Sequence, residues 1–142
     1  MATPAQRALA GLTAAQAAWK PAPARHSIWR IVRHLIRWKR GVLQAWDGSP
    51  PEGAQLAAGD WQEVAGGDAD WDRDRRTLLQ ISEEFLTRAQ APDDEALSRP
   101  IVWYNGGWSQ PLAMRLIRTT THDIYHAGQI MYLRALQRIP AR

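Results

Sequence analysis

The chain has 142 residues, 45% of them hydrophobic and 23% charged, with a formal charge of +4 and an isoelectric point near 10.1. That length allows one domain, residues 1–142, with a real core. The balance excludes disordered and fibrous classes. No apolar run approaches the roughly 20 residues of a membrane span, and the opening lacks a basic patch followed by an apolar stretch, so no membrane association and no signal peptide are expected.

The chain contains no cysteine. That removes disulfides, thiolate zinc sites and thiol nucleophiles together, so any metal site must be built from His, Asp and Glu, and a cytoplasmic setting is the default expectation. Of the 18 basic residues only Lys20 and Lys39 are lysine. Arg30, Arg33, Arg37 and Arg40 fall on one side of one predicted helix; a solvated face is the simplest account of them, and an anion-binding face is the alternative.

In chain order, Thr13 and Gln16 form the T-x-x-Q pattern of a capping box, so a short helix is expected there, ended by Pro21 and Pro23. Ser27 is a predicted N-cap for a long helix in which Ile28, Ile31, Val32, Leu35, Val42, Leu43 and Trp46 recur on one face. Gly41 weakens that helix without ending it. A Gly-, Pro- and Asp-rich connection follows. The next helix is predicted from Asp70 to about Ala89, with Asp72 and Asp74 favourable in its first turn and Trp71, Leu78, Leu79, Ile81, Phe85 and Leu86 on its apolar side. "IVWYNGG" is a β-prone run ending in turn residues and predicts a small extended piece or hairpin. The last helix is predicted from Ser109, as N-cap ahead of Pro111, past Leu136. Helices with long irregular connections indicate an all-α antiparallel bundle.

The chemistry is concentrated in the histidines. In "TTTHDIYHAGQI", His122 and His126 are one turn apart and share a face with Leu112, Leu116, Ile130 and Leu133, so the pair points inward. Two imidazoles at that spacing can share a metal. H-x-x-x-H alone is a weak pattern, equally satisfied by surface or hydrogen-bonded core histidines. It lacks the glutamate of H-E-x-x-H, which excludes a metalloprotease of that type. His34 sits at the flank of the apolar face of the second helix, where it is either an ordinary interfacial histidine or one pointing into the seam between two helices. His26 precedes the N-cap Ser27 and reads as a surface or capping-region residue, at most a neighbour of the site.

Three stretches together resemble the DinB/YfiT-like superfamily. "ALAGLTAAQAAWKPAPARHSI" resembles its L-x-G-L-T-x-x-x-x-x-W-x-P-x-P entry and Ser-led helix. "SIWRIVRHLIRW" resembles its second-helix motif with one central histidine, and "THDIYHAGQIMYLRAL" its closing helix. The resemblance implies a DinB-like four-helix bundle with His34, His122 and His126 as ligands of a divalent metal: nickel, zinc, iron or manganese. It implies homodimers, and relatives that transfer low-molecular-weight thiols or isomerise with a thiol cofactor. The family's opening helix runs about five turns, so with few residues ahead of "LAGLT" the first helix is expected to be shortened, by a mis-set start or with a partner chain covering the core face. Asp123 and Gln129 lie near the histidines on the helical wheel, and either can orient an imidazole.

Three neutral imidazoles would leave such a metal its full charge and open positions, lowering the pKa of bound water or binding an external thiol as the thiolate. The expectation is therefore a metal-dependent enzyme of the thiol S-transferase or hydrolase type acting on a small molecule. Trp38, Trp103 and Trp108 are candidate pocket walls, and the arginines can hold an acidic substrate without any one of them standing out. The alternative is a non-catalytic, stress-related binding module with a structural or vestigial metal site and a basic anion-binding surface; nucleic acid is not the expected partner.

Overall fold

A computed structural model describes residues 4–140. Among the described residues the opening helix, the one expected to be shortened, is six residues long. The chain opens with α1 (Pro4–Leu9) and α2 (Ala14–Ala18). Thr13 caps α2 reciprocally with Gln16: the Gln16 N–H donates to Thr13 Oγ1 at 3.2 Å, and the Thr13 N–H to Gln16 Oε1 at 3.0 Å. α3 (Ile28–Trp46) starts where Ser27 Oγ accepts from the Arg30 N–H. It runs through Gly41, where a Cβ would lie 3.4 Å from both Leu56 Cδ2 and Pro51 Cγ. The following connection, with the short α4 (Gly53–Ala58), packs against the helix there at a distance that even a Cβ would meet as ordinary contact.

α5 (Asp68–Ala89) begins two residues earlier than predicted. Asp70 sits inside its first turn, accepting from the Gly67 N–H at 3.1 Å, while Asp68 Oδ1 accepts from the Ala14 N–H at 3.0 Å and ties the start of α2 to the start of α5. After the short α6 (Asp94–Ser98), the "IVWYNGG" segment forms the predicted hairpin: β1 (Pro100–Val102) pairs antiparallel with β2 (Ser109–Pro111), Ile101 opposite Gln110. Gly106, at φ +87°, supplies the left-handed residue of its loop. α7 (Leu112–Leu136) therefore starts three residues later than predicted, because Ser109 is spent in a strand and caps nothing.

The fold is all-α apart from that hairpin. α3, α5 and α7 are the long members; α1 packs against α7 and α5, and α2 against α3 and α5. The core they share includes Leu9, Trp29, Ile31, Val32, Leu78, Phe85 and Ile130, each large apolar side chain contributing about 1.5–3 kcal/mol on burial. Buried polar groups are spent on tethers. Trp71 Nε1 donates to Leu12 O at 2.8 Å, and Arg134 donates to Ala8 O at 3.0 Å and Ala10 O at 2.7 Å, fastening α1 to the last helix. Among the described residues no helix is long and apolar enough to cross a membrane.

Candidate metal centre

α3 and α7 bring His34, His122 and His126 together. Their ring centroids are 5.0 Å (His34–His122), 4.5 Å (His122–His126) and 4.7 Å (His34–His126) apart. Each presents Nε2: His34 Nε2 lies 2.9 Å, and His126 Nε2 3.1 Å, from His122 Nε2. Helical register explains the convergence. His122 and His126 stack one turn apart on the inward face of α7, and His34 faces them from the second turn of α3.

The outer ring nitrogens decide what those Nε2 atoms carry. His34 Nδ1 lies 2.7 and 2.9 Å from the two oxygens of Asp60, a carboxylate that can only accept, so the proton is on Nδ1 and Nε2 offers a lone pair. His126 Nδ1 donates to Gln129 Oε1 at 2.7 Å, and the Gln129 amide donates to Tyr125 Oη at 3.0 Å, which fixes the amide orientation and leaves His126 Nε2 as another lone pair. A neutral His122 has at most one proton at Nε2 to serve both neighbours. Three imidazole nitrogens thus converge with too few protons between them, the donor set of a cation site, and they are placed so that they can hold a divalent metal.

Burial keeps the three imidazoles in their neutral form. His34 is 7% and His126 4% exposed, and burial is the main cause of the lowered pKa of each, outweighing the Asp60 and Gln129 hydrogen bonds that pull the other way. His122 is lowered to about 4, chiefly by burial and then by its two histidine neighbours. All three are neutral at pH 7.

Asp60, which sequence reasoning missed, is the hub of the surroundings. Its carboxylate also accepts from Trp38 Nε1 at 2.7 Å and from the Trp61 N–H at 3.0 Å. Trp61 takes a left-handed backbone conformation, φ 56°, that costs about 1–3 kcal/mol for a residue with a Cβ. The turn lays its indole between His34 (4.0 Å between centroids) and His26 (3.8 Å). His26 is therefore a neighbour of a neighbour, outside the cluster. Of the two wheel-based candidates, Gln129 orients an imidazole, whereas Asp123 turns to Lys39, a side chain only 3% exposed that also donates to Ser82 Oγ at 3.1 Å.

A cavity of about 320 Å³ opens beside His34 and His122. Trp38 and Trp103, 5.0 Å apart between ring centroids, wall it as expected, together with Lys39, Arg115 and Arg118. Trp108 does not: it is 66% exposed and stands away from the cavity. The arginine stripe of α3 lines a separate groove of about 620 Å³ against α5 and the segment after α4. Three of its four arginines are already neutralised or tethered, Arg37 by donating to Gln55 O at 3.5 Å. Arg33 pairs with Asp74 at 2.7 Å, and Arg30 pairs with Glu63 at 3.2 Å while donating to Trp61 O.

A helical bundle holding a largely buried three-histidine cluster beside an open cavity defines the class of protein. The sequence profile of the DinB superfamily matches residues 4–130, and the chain belongs to that superfamily. No curated protein matches the chain significantly in sequence.

Proposed function

We propose that the chain is a metal-dependent enzyme of the low-molecular-weight-thiol S-transferase or hydrolase type, acting on a small molecule held beside a divalent metal, with His34, His122 and His126 as the ligands. The observation that carries this reading is the convergence of three neutral imidazole nitrogens with a proton deficit, bordered by a cavity. A divalent metal at that point supplies Lewis acidity, which favours the deprotonated form of a water or thiol. The protein's own part is positional. Asp60 and Gln129 hold two of the imidazoles in the ligating tautomer. Trp61 covers the His34 face away from the cavity, and Trp38 with Trp103 forms an apolar wall that limits access of bulk water. Because the chain has no cysteine, a thiol nucleophile must arrive from outside, and a cytoplasmic setting would keep it reduced.

As part of the same reading the whole chain, 1–142, is one domain that works as a homodimer. The outer face of α7 supports this, with Met114, Ile117, Ile124, Tyr125 and Tyr132 exposed along it and Gly128, whose Cβ position is open, between them. An apolar stripe of that length on a soluble monomer is a liability that a second copy would remove. The alternative, a binding module acting through its arginine face, draws less support because Glu63 and Asp74 already occupy two of the four arginines.

The test is transfer of a low-molecular-weight thiol to an electrophile, and hydrolysis of small esters and amides, by protein stripped with a chelator and then reloaded with nickel, zinc, iron or manganese in turn. Activity that falls on stripping, returns with one metal and is absent from His126→Ala supports the proposal. Activity that persists in metal-free His126→Ala contradicts it.

A further inference from the structure

We infer that the cavity beside the histidines is a receptor for a small organic carboxylate, with Arg115 as its recognition residue. This deepens the functional proposal by naming the substrate class of the same site, and rests on that reading only for the idea that the bound molecule reacts.

Arg115 is a half-buried cation without a counter-ion. No carboxylate lies within ion-pair distance of it or of Arg118 among the described residues, whereas Arg33, Arg73, Arg75, Arg76 and Arg88 all have one. Its Nε is buried with no hydrogen-bond partner. Burial, and then the nearby Arg118, lower its pKa, and no acid acts in the opposite sense. A guanidinium placed this way loses hydration without recovering it from the protein, which is costly unless an anion completes it.

The surroundings say what kind of anion. The Arg115 guanidinium carbon lies over the Trp103 ring, 4.7 Å from its centre; this cation–π contact holds the group, and with Nε buried its two terminal NH₂ groups are the donors for a bidentate partner, the geometry of a carboxylate. Trp103 and Trp38 give the cavity an apolar flank for the body of the ligand. A volume of about 320 Å³ is at the small end of ligand sites and suits a compact molecule. The register along α7 points the ligand. Arg115, Thr119 and His122 succeed one another at spacings of four and three residues, so an anion anchored at Arg115 lies about two turns, or roughly 10 Å of helix rise, from the histidine cluster. The far end of a short carboxylic acid would reach His122 and His34.

The experiment compares binding of 3-phenylpropionate with its neutral amide, 3-phenylpropionamide, by calorimetry, using wild type, Arg115→Gln and His126→Ala, each checked for helical content. The expected result is at least tenfold tighter binding of the carboxylate to wild type. That preference falls below threefold in Arg115→Gln and persists in His126→Ala and in chelator-stripped wild type. Equal binding of the two probes, no binding of the carboxylate at millimolar concentration, or a preference unchanged in Arg115→Gln overturns the inference. So does a preference that disappears with His126, which would put the anion on the metal. A lasting carboxylate preference in a protein without metal-dependent activity would instead remove the functional proposal and leave the receptor standing.

Discussion

Replacing Asp60 by alanine tests how the histidine cluster is kept ready for metal. The carboxylate accepts from His34 Nδ1 (2.7 Å), Trp38 Nε1 (2.7 Å) and the Trp61 N–H (3.0 Å), and its side chain is 9% exposed. In Asp60→Ala the two ring donors lose their acceptor; at about 1–3 kcal/mol for each buried donor left unmet, the fold loses about 2–6 kcal/mol. His34 is also freed to carry its proton on Nε2, which would remove a lone pair from the cluster. Losing a carboxylate that orients a ligand imidazole costs about 10–100-fold in metal affinity, or roughly 1.4–2.7 kcal/mol. Asp60→Asn is the informative companion: its amide oxygen can still accept from His34, but its NH₂ faces the Trp38 N–H, so stability suffers more than metal affinity. Urea unfolding measures the first quantity and competition for zinc with a chromogenic chelator the second. An Asp60→Ala protein that folds as stably as wild type and holds zinc as tightly would refute the reasoning.

Three further outcomes follow from the same geometry. Metal-free protein should lose stability as pH falls from 6.5 towards 4: the unfolded chain takes up a proton on His122 at its ordinary pKa of 6.5, which the folded chain refuses until about 4. Asp123, raised by burial, works in the opposite sense near its own range. Urea midpoints across pH 4.5–7.5 should therefore rise with pH in wild type and rise less in His122→Gln; equal slopes would contradict the assignment. Asp123→Asn removes the partner of the buried Lys39 ammonium and should cost about 3–5 kcal/mol in chemical denaturation, while Lys39→Met with Asp123→Asn together should recover part of it. Ile124→Glu on the outer face of α7, where Ile124 is 58% exposed, should leave the fold intact and halve the mass in analytical ultracentrifugation; an unchanged mass would move the dimer contact elsewhere.

What the sequence discloses follows how far each signal travels along the chain. Thr13 with Gln16, and Ser27 ahead of Ile28, are complete within four residues, and both caps form as read. His122 and His126 are fixed by a single helical turn, whereas the flanking position of His34 on its apolar stripe leaves two readings open, and only the family resemblance assigns it to the facing seam. The start of α7 is set by Ser109–Pro111 pairing with Pro100–Val102, a contact that local propensity does not report, so the helix begins at Leu112. α4 and α6, at six and five residues, are too short to show a period. Asp60 lies 26 residues from His34 inside an irregular connection, and nothing local marks it as the hub of the site. Its one visible trace is the i, i+4 pair His34 and Trp38, two ring donors on one face of α3 that need a common acceptor. The unpaired state of Arg115 is likewise a property of what surrounds it in space: in sequence it is one arginine among sixteen residues of that kind.

The central claim is that His34, His122 and His126 form one metal site. Titrating chelator-stripped protein with zinc, nickel, iron(II) or manganese, and measuring bound metal after desalting, addresses it directly. One divalent ion per chain in wild type, and its loss in folded His34→Ala, is the predicted result. No ion retained by wild type, or the same stoichiometry and affinity in His34→Ala, would contradict it.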